Sequence, residues 1–233
     1  MSIKVRILRK RPIEDKQYWE EFLYDGTPDI SVAGMLDTLN YKDDIVNAAG
    51  DSVPRIAWEC SCLQGMCGSC AMVINRKPAL ACETFVRDLG EAIEIRPLSK
   101  FHVINDLVVD RGIIHENACR VNAYIKEHKA SDPSEFEHQY SAAKCLKCGL
   151  CLEICPNYSR GERFFGALFA NDCYLIATRS GELDDAIRED YDRHFAAGCS
   201  KSLACVDICP MKIPTLSSMA KLNRRKREKA LHQ

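Results

Sequence analysis

Residues 62–82 read CLQGMCGSCAMVINRKPALAC and contain four cysteines whose spacing decides the fold of the first part of the chain. Three of these cysteines lie in one short glycine-rich loop, and the fourth follows after eleven residues. This spacing is typical of plant-type 2Fe–2S ferredoxins. Glycine permits the close backbone approach and the unusual φ values that a loop around a cluster requires. The predicted ligands of a 2Fe–2S cluster are Cys62, Cys67, Cys70 and Cys82.

Two other metal centres compete with this interpretation. Zinc sites built from four cysteines usually take two C-x-x-C pairs, whereas this loop supplies three ligands and a lone cysteine supplies the fourth. A Rieske centre needs two histidine ligands, and none of the six histidines lies near these cysteines. We therefore favour the 2Fe–2S cluster, with zinc as the alternative. Cys60 precedes the pattern and is predicted to be a bystander, although its replacing Cys62 as a ligand stays open.

Two further cysteine runs of equal length lie in the second half of the chain. Residues 145–156, CLKCGLCLEICP, have the bacterial ferredoxin spacing, in which the fourth cysteine binds the other cluster of a pair. Residues 199–210, CSKSLACVDICP, end in the same Cys-Pro but have Ser202 where the second cysteine would stand. Two unrelated zinc knuckles would not explain this agreement in length and ending.

Exchange of the last cysteines between the two runs gives two ligand sets. The set with four thiolates predicts a 4Fe–4S cluster bound by Cys145, Cys148, Cys151 and Cys209. The set with three thiolates predicts a 3Fe–4S cluster bound by Cys155, Cys199 and Cys205. An alkoxide of Ser202 bound to a fourth iron is the alternative. Cys119 and Cys173 belong to no pattern and are expected to be buried free thiols.

The overall composition limits the remaining functions. The chain has 233 residues and a formal net charge of −1, which argues against nucleic acid as a partner. No stretch approaches the roughly eighteen apolar residues of a membrane span, and the first residues lack the apolar core of a secretory signal. We therefore expect a cytoplasmic protein whose fourteen cysteines do not form disulfides. Neither a G-x-G-x-x-G nor a Walker-type loop occurs, so no flavin or nucleotide site is visible.

The first part of the chain, residues 1–104, is predicted to be a mostly β domain. Apolar and polar residues alternate over 3–8, as they do in a half-buried strand. A short helix is expected over 31–39, and a hairpin with a four-residue loop over 71–82, whose second strand would carry the last cysteine of the loop pattern. A final strand is expected over 94–97.

The second part, residues 105–233, changes to a helical period, so the fold class predicted for the whole chain is α+β. Leu107 and Val108 fit helical packing better than alternation. Ser134 is expected to cap a helix leading towards the first cysteine run, and Pro214 to lie in the first turn of the last helix. Further predicted helices cover residues 164–169, 183–195 and 215–229.

The three cysteine segments together closely resemble the iron–sulfur subunits of succinate dehydrogenase and fumarate reductase. The segments that carry the resemblance are CLQGMCGSCAMVINRKPALAC, CLKCGLCLEICPN and CSKSLACVDICPMKIP, together with FHVINDLVVD at 101–110, which is similar to the junction between the two domains of that family. The resemblance implies an N-terminal β-grasp 2Fe–2S ferredoxin-like domain followed by an α-helical ferredoxin domain with the 4Fe–4S and 3Fe–4S clusters.

The resemblance also implies partners. These are a flavoprotein subunit with covalently bound FAD, which interconverts succinate and fumarate, and a cytochrome b-type membrane anchor where quinone reacts. The chain would lie peripherally on the cytoplasmic side of the cell membrane and relay electrons between the flavin and quinone through the 2Fe–2S, 4Fe–4S and 3Fe–4S clusters, in either direction. Two alternatives are an iron–sulfur subunit for a different flavin-dependent dehydrogenase or reductase, and a structural zinc protein.

Two departures from the family pattern bear on the quinone. Ubiquinone-reactive members tend to carry a tryptophan five residues after the cysteine that corresponds to Cys155, and a histidine directly after the one that corresponds to Cys199. Here these positions are Arg160 and Ser200, which favours menaquinone. The basic residues at 221–229 either form a solvated helix end, stabilised by the helix dipole, or contact anionic headgroups or an anchor subunit.

Overall fold

The computed structural model describes residues 2–125, 132–160, 163–179 and 184–231, except for the side chains of 184–185 and 225–231. The chain divides into two compact units, one made of Met1–Arg111 with Cys148–Glu153 and the other of Gly112–Lys147 with Ile154–Gln233. The predicted domain boundary between 104 and 105 stays a prediction. Among the described residues, no helix combines the length and apolarity needed to cross a bilayer. Most of the basic side chains expected at 221–229 lie outside the described residues.

The first unit is built on a five-stranded sheet with the strand order β2-β1-β5-β3-β4. Only β1 and β5 pair in parallel; the other neighbours are antiparallel. Alternation along β1 buries Val5 and Ile7 completely, as the period of two predicts. Ser31 caps helix α1 by accepting the N–H of Gly34 at 3.2 Å. The bounds are β1 Ile3–Lys10, β2 Gln17–Tyr24, α1 Val32–Asn40, β3 Ala71–Ile74, β4 Lys77–Leu80 and β5 Ala92–Arg96.

The hairpin of β3 and β4 has a tighter turn than the predicted four-residue loop. Only Asn75 and Arg76 lie in the turn, with φ of 45° and 67°, which gives a two-residue turn that matches the twist of the strands. Pro78 is tolerated in β4 because β4 is an edge strand. Cys82 therefore lies beyond the strand, in a 3₁₀ turn at Ala81–Glu83, and its predicted place on the second strand was wrong.

Residues 102–110 form a second hairpin instead of the predicted helical segment, with β6 at His102–Asn105 and β7 at Val108–Asp110. The turn depends on Asp106, which has a φ of 46° and is completely buried. Its carboxylate accepts the backbone N–H groups of Lys10 at 3.0 Å and Ala57 at 2.9 Å, and pairs with Nε of Arg9 at 2.9 Å. These partners are distant along the chain, and their contacts with Asp106 stabilise the hairpin more than the local helical period of the sequence favours a helix.

The second unit is helical, as predicted, around a core of buried aromatic side chains that includes Phe165, Phe169, Tyr174 and Phe195. Helix α4 begins in the segment Cys148–Glu153 that belongs to the first unit. The bounds are α2 Gly112–Arg120, α3 Phe136–Ala143, α4 Leu150–Ile154, α5 Ala167–Arg179, α6 Asp184–His194, α7 Ala204–Asp207 and α8 Thr215–Leu231.

Several helix starts differ from prediction. The cap near α3 is Asp132, not Ser134: its carboxylate accepts the N–H of Ser134 at 2.9 Å and begins a 3₁₀ turn at Pro133–Glu135. The helix predicted over 164–169 begins later, at Ala167, and α8 begins directly after Pro214. Cys173 is a buried free thiol, as expected, whereas Cys119 is exposed, so that expectation was wrong.

Candidate cluster sites

The cluster loop, residues 62–70, and the 3₁₀ turn after β4 bring the four cysteines of the first pattern together. The sulfurs of Cys70 and Cys82 lie 3.3 Å apart. Cys67 forms hydrogen bonds with the side chain and backbone of Cys62, and Cys82 is within electrostatic reach of Cys62. Cys60 is exposed, ahead of the loop. These pairwise contacts bring the four thiols of the first pattern close together within the first unit.

Backbone N–H groups of the cluster loop point at the sulfurs. Cys62 Sγ accepts the N–H groups of Gln64 at 3.5 Å and Met66 at 3.2 Å, and Cys82 Sγ accepts that of Gly65 at 3.3 Å. Gly65 has a φ of 73°, and a Cβ at this position would lie 2.7 Å from the carboxylate of Glu83. Glycine adopts this conformation without strain, whereas a side chain here would also force the Glu83 carboxylate to move. Hydrogen bonds from backbone N–H groups stabilise negative charge on sulfur, which is what the thiolate ligands of an iron–sulfur cluster carry.

Two thiols of the first cysteine pattern, Cys67 in the cluster loop and Cys82 in the 3₁₀ turn, differ strongly in acidity. Hydrogen bonds from the backbone of Cys62 and from the side chain and backbone of Ser69 lower the pKa of Cys67 to about 6. Burial, and then the neighbouring thiol of Cys70, raise the pKa of Cys82 to about 12, although the N–H of Gly65 opposes this shift. At neutral pH, Cys67 is therefore mostly a thiolate, which is the form that binds iron. Cys82 stays protonated until a metal ion replaces its proton.

Arg111 supports the cluster loop from the end of the second hairpin. Its guanidinium donates to the carbonyl of Ser69 at 2.9 Å and to Oε2 of Glu59 at 2.8 Å. Ser69 in turn bonds to the thiol of Cys67. Sequence analysis did not identify Arg111, because it lies 42 positions beyond Ser69 and belongs to no motif.

The end of the first cysteine run (residues 145–155) approaches the start of the second run (residues 199–209) within the second unit. Burial raises the pKa of the Cys205 thiol, and the neighbouring thiols of Cys155 and Cys199 raise it further. Cys155 and Cys199 therefore lie within electrostatic reach of Cys205. The grouping is the one expected for the three-thiolate set, with the last cysteine of the first run beside two cysteines of the second.

The other end of the second run approaches the start of the first. Burial raises the pKa of Cys145, and Asp172 and Cys209 act in the same direction, while Lys147 opposes them. Cys209 Sγ also accepts the N–H of Ile213 at 3.5 Å. The remaining predicted ligands of this set, Cys148 and Cys151, are half-buried on the segment Cys148–Glu153 of the first unit.

Within the first unit, Glu153 anchors the segment that carries Cys148 and Cys151. The Glu153 carboxylate accepts the hydroxyl of Ser99 at 2.7 Å and the N–H of Lys100 at 3.0 Å. At the other end of the segment, Gly149 has a φ of 87°, and a Cβ there would lie 2.9 Å from the ring of Phe101. Close packing therefore needs glycine at this position.

The turns of the cysteine runs are left-handed, and most of them are made by residues other than glycine. Lys147, Lys201 and Leu203 have φ between 54° and 62°, and Gly149 is the one glycine in these turns. Such conformations turn backbone N–H groups inward but cost free energy for residues with a Cβ. At Lys147, the left-handed conformation lets the backbone N–H bond to the sulfur of Cys145.

Ser202 and Ser200 lie in the loop between the first two cysteines of the second run. Ser202 is exposed. The hydroxyl of Ser200 donates to Oδ1 of Asn157 at 2.7 Å, and Nδ2 of Asn157 donates to the carbonyl of Gly198 at 2.7 Å. In the described part of the chain, no group of three or more His, Cys, Asp or Glu side chains is arranged to hold a single metal ion.

Comparison with protein families assigns both parts of the chain. Residues 4–116 match the family described as "2Fe-2S iron-sulfur cluster binding domain", and residues 141–213 match "4Fe-4S dicluster domain". These matches confirm the two predicted kinds of cluster domain. The individual ligand assignments and the 3Fe–4S cluster stay predictions.

Comparison with individual proteins gives matches along nearly the whole chain. The succinate dehydrogenase iron-sulfur subunit of Bacillus subtilis is 31% identical, over 96% of this chain and 92% of the relative. The fumarate reductase iron-sulfur subunit of Wolinella succinogenes is 28% identical, over 96% of both chains. A chain of the Mycobacterium smegmatis Sdh1 complex has the same fold, with a TM-score of 0.75 over 97% of both chains at 21% identity. The predicted fold class is thereby confirmed.

Proposed function

This chain belongs to the family of succinate dehydrogenase and fumarate reductase iron–sulfur subunits, and we propose that it relays electrons between the FAD of a flavoprotein subunit and quinone at a membrane-anchor subunit. Family membership confirms the resemblance seen in the sequence and makes the chain an electron-transfer subunit of an oxidoreductase complex. The observation that carries the proposal is the presence of both cluster domains in one chain that aligns with succinate dehydrogenase subunits over 96% of its length.

The relay rests on three proposed ligand sets. Cys62, Cys67, Cys70 and Cys82 bind the 2Fe–2S cluster; Cys145, Cys148, Cys151 and Cys209 bind the 4Fe–4S cluster; and Cys155, Cys199 and Cys205 bind the 3Fe–4S cluster. The first and third sets are supported by the proximity of their thiols within single units. The second is supported by the proximity of Cys145 to Cys209.

When bound, the clusters supply one-electron transfer, and the residues of this chain set where and at what potential it occurs. The backbone N–H groups of Gln64, Gly65 and Met66 would stabilise negative charge on the cluster sulfurs and thiolates. Partial burial of Cys145 and Cys205 would disfavour added negative charge at these sulfurs. Interconversion of succinate and fumarate would take place on the flavoprotein.

We further propose where the complex lies and which quinone it uses. The chain would be peripheral, on the cytoplasmic side of the membrane, held there by a cytochrome b-type anchor. Arg160 and Ser200 stand where ubiquinone-reactive members tend to have tryptophan and histidine, which favours menaquinone. The hydroxyl of Ser200 donates a hydrogen bond to Asn157, which supports a structural role for this position rather than contact with quinone.

The test is purification of the tagged full-length chain from cells that also express its neighbouring genes. We expect about nine irons per chain, the sum of the three clusters, together with a flavoprotein that carries covalent FAD and reduces the clusters when succinate is added. Reduction by another substrate, through a different flavoprotein, would replace the proposal with the alternative dehydrogenase. Stoichiometric zinc with almost no iron would end the electron-transfer interpretation.

A further inference from the structure

The loop at the start of the first cysteine run holds an ion pair that no metal-binding pattern requires. Lys147 lies between Cys145 and Cys148, and its ammonium contacts both carboxylate oxygens of Asp172, with Oδ2 at 2.5 Å. Asp172 lies in helix α5, 25 positions further along the chain. The backbone N–H of Lys147 bonds to the Cys145 sulfur, so this residue takes part in the site through its backbone while its side chain pairs with α5.

The pair lies directly beside a predicted cluster ligand. Lys147 is two positions after Cys145 and its backbone N–H bonds to the Cys145 sulfur, and Asp172 contacts the ammonium of the same lysine. The two opposite charges therefore change the electrostatic potential at this site in opposite directions. A charge that stabilises a thiolate also stabilises added negative charge on a cluster bound to that thiolate, since both effects depend on the same electrostatic potential.

The surroundings of the pair allow its field to reach the site. The side chains of Lys147 and Asp172 are 41% and 22% exposed, whereas those of the surface pair Arg87 and Asp29 are 52% and 70% exposed. Partly buried charges are screened by salt and water less than surface charges are. The ammonium and the carboxylate in contact largely cancel one another's field, so the site experiences a small net charge as long as both are present.

We propose that Asp172 neutralises the charge of Lys147 and thereby holds the midpoint potential of the cluster bound by Cys145 below the value that Lys147 alone would set. Reduction adds one electron to this cluster, so the reduced form carries one more negative charge than the oxidised form. An unpaired cation beside the cluster favours the reduced form, and an unpaired anion favours the oxidised form. The inference rests on the proposed role of Cys145 as a ligand. Lys147 and Asp172 would act on the cluster through their charges and would not bind it.

The test is the midpoint potential of the 4Fe–4S cluster in the purified complex, measured by redox titration with dithionite and followed by EPR. Asp172→Asn leaves the lysine unpaired, and we expect the ratio of reduced to oxidised cluster at the wild-type midpoint to rise at least threefold, about 28 mV at 59 mV per tenfold for one electron. Lys147→Met leaves the carboxylate unpaired and should lower the same ratio. The titration is run at pH 8, because burial raises the pKa of Asp172 and an ionised carboxylate is needed.

The double variant Lys147→Met with Asp172→Asn should return close to the wild-type potential, since it removes both charges. A purely structural role of the pair would instead reduce cluster content in both single variants without shifts of opposite sign. Lys77→Met, which removes an exposed positive charge from the edge strand β4 of the first unit, is the control for net charge and should leave this potential unchanged.

Each other outcome has a definite meaning. Shifts of the same sign, or no shift in Asp172→Asn, overturn the inference even when the wild type contains the cluster. If the Lys147→Met variant loses the cluster, the Asp172→Asn variant alone tests the inference, because the amide keeps the shape of the carboxylate. The midpoint potential of the cluster in Asp172→Asn must then rise. Absence of a 4Fe–4S signal in the wild-type complex, by contrast, would refute the proposed ligand assignment itself and not the balance of charge.

Discussion

The cluster loop of the first unit and the cysteine runs of the second unit differ in how their backbones are held. In the cluster loop, two of the three positive φ values fall on glycine, at Gly65 and Gly68, with Leu63 as the exception, and three backbone N–H groups point at sulfurs. In the cysteine runs, Gly149 is the one glycine among four left-handed residues, and the other three have side chains, namely Lys147, Lys201 and Leu203.

This difference indicates that the two regions depend on their clusters to different degrees. Each left-handed residue other than glycine costs about 1 kcal/mol or more. The three in the cysteine runs together cost roughly 3 kcal/mol, against about 1 kcal/mol for Leu63 in the cluster loop, and this is a large part of the 5–15 kcal/mol that stabilises a typical domain. The bonds between iron and sulfur would offset this cost in the holoprotein, whereas the glycines and hydrogen bonds of the cluster loop favour its shape before any iron is bound.

The largest expected effect is therefore on the second unit when iron is removed. Treatment with ferricyanide and EDTA should abolish most of the helical circular dichroism signal, because the helices of the second unit lose the links that hold their turns. Both tryptophans, Trp19 and Trp58, belong to the first unit, so their emission maximum should stay that of a folded protein. Limited proteolysis should cut residues 136–231 before residues 3–110. Equal protection of the two regions would contradict the comparison.

The next effect concerns the missing cysteine of the second run. Ser202→Cys supplies a fourth thiolate to the set of Cys155, Cys199 and Cys205, and we expect the oxidised 3Fe–4S EPR signal to be lost as that centre becomes 4Fe–4S. Because Ser202 is exposed, the substitution adds no buried volume. Ser200→Cys is the matched control, since it lies in the same loop but outside the register of the pattern. An unchanged signal in fully reconstituted Ser202→Cys would count against the ligand assignment.

A third effect separates two thiols of the first cysteine pattern in the iron-free chain, Cys67 in the cluster loop and Cys82 in the 3₁₀ turn after β4. Only thiolates react with iodoacetamide, so the rate of alkylation follows each pKa. With a pKa of about 6, Cys67 should react faster as the pH rises from 5 to about 7 and then level off. Cys82, with a pKa of about 12, should react more than tenfold more slowly at pH 7 and keep accelerating up to pH 9. Mass spectrometry of labelled peptides measures both. Matching profiles centred near the ordinary cysteine pKa of about 8.5 would mean that the loop is not preformed.

The smallest expected effect comes from the support behind the cluster loop. Arg111→Met removes the hydrogen bonds to Ser69 and Glu59 and one positive charge near the loop, so it should destabilise the first unit by about 1–2 kcal/mol. It should also reduce the ratio of reduced to oxidised 2Fe–2S cluster about threefold at the wild-type midpoint, roughly 30 mV. Denaturant unfolding followed by tryptophan emission, together with a redox titration, checks both.

Arg87→Met is the matched control for that variant. Arg87 pairs with Asp29 at 3.0 Å, but both side chains are mostly exposed. Surface pairs of this kind contribute about 0–1 kcal/mol, so the potential should stay unchanged and stability should fall by less than in Arg111→Met. Equal effects of the two arginines would remove the case for a specific role of Arg111.

Elements with a local cause were predictable. The alternation of β1, the short helix α1 and the last helix each depend on residues close together in the chain, and the structure has all three. The hairpin turn was misjudged because Asn75 is a turn residue whereas Arg76 is not. Its shape is supported from β5, where the N–H of Glu94 bonds to the Asn75 side chain at 2.8 Å. The β6–β7 hairpin was missed for a similar reason, since the amide of Lys10 that holds Asp106 lies 96 positions away.

The amino-acid sequence by itself determined the kinds of cluster domain and the family, because cysteine spacing is a local property and each iron–sulfur geometry demands its own spacing. Only the tertiary structure decided what surrounds the sulfurs. Arg111 reaches Ser69 across 42 positions and Asp172 reaches Lys147 across 25, and neither pair has any periodic or motif signal. Electrostatic potential depends on distance in space rather than along the chain, so the charges that set a cluster's potential become visible only once the chain is folded.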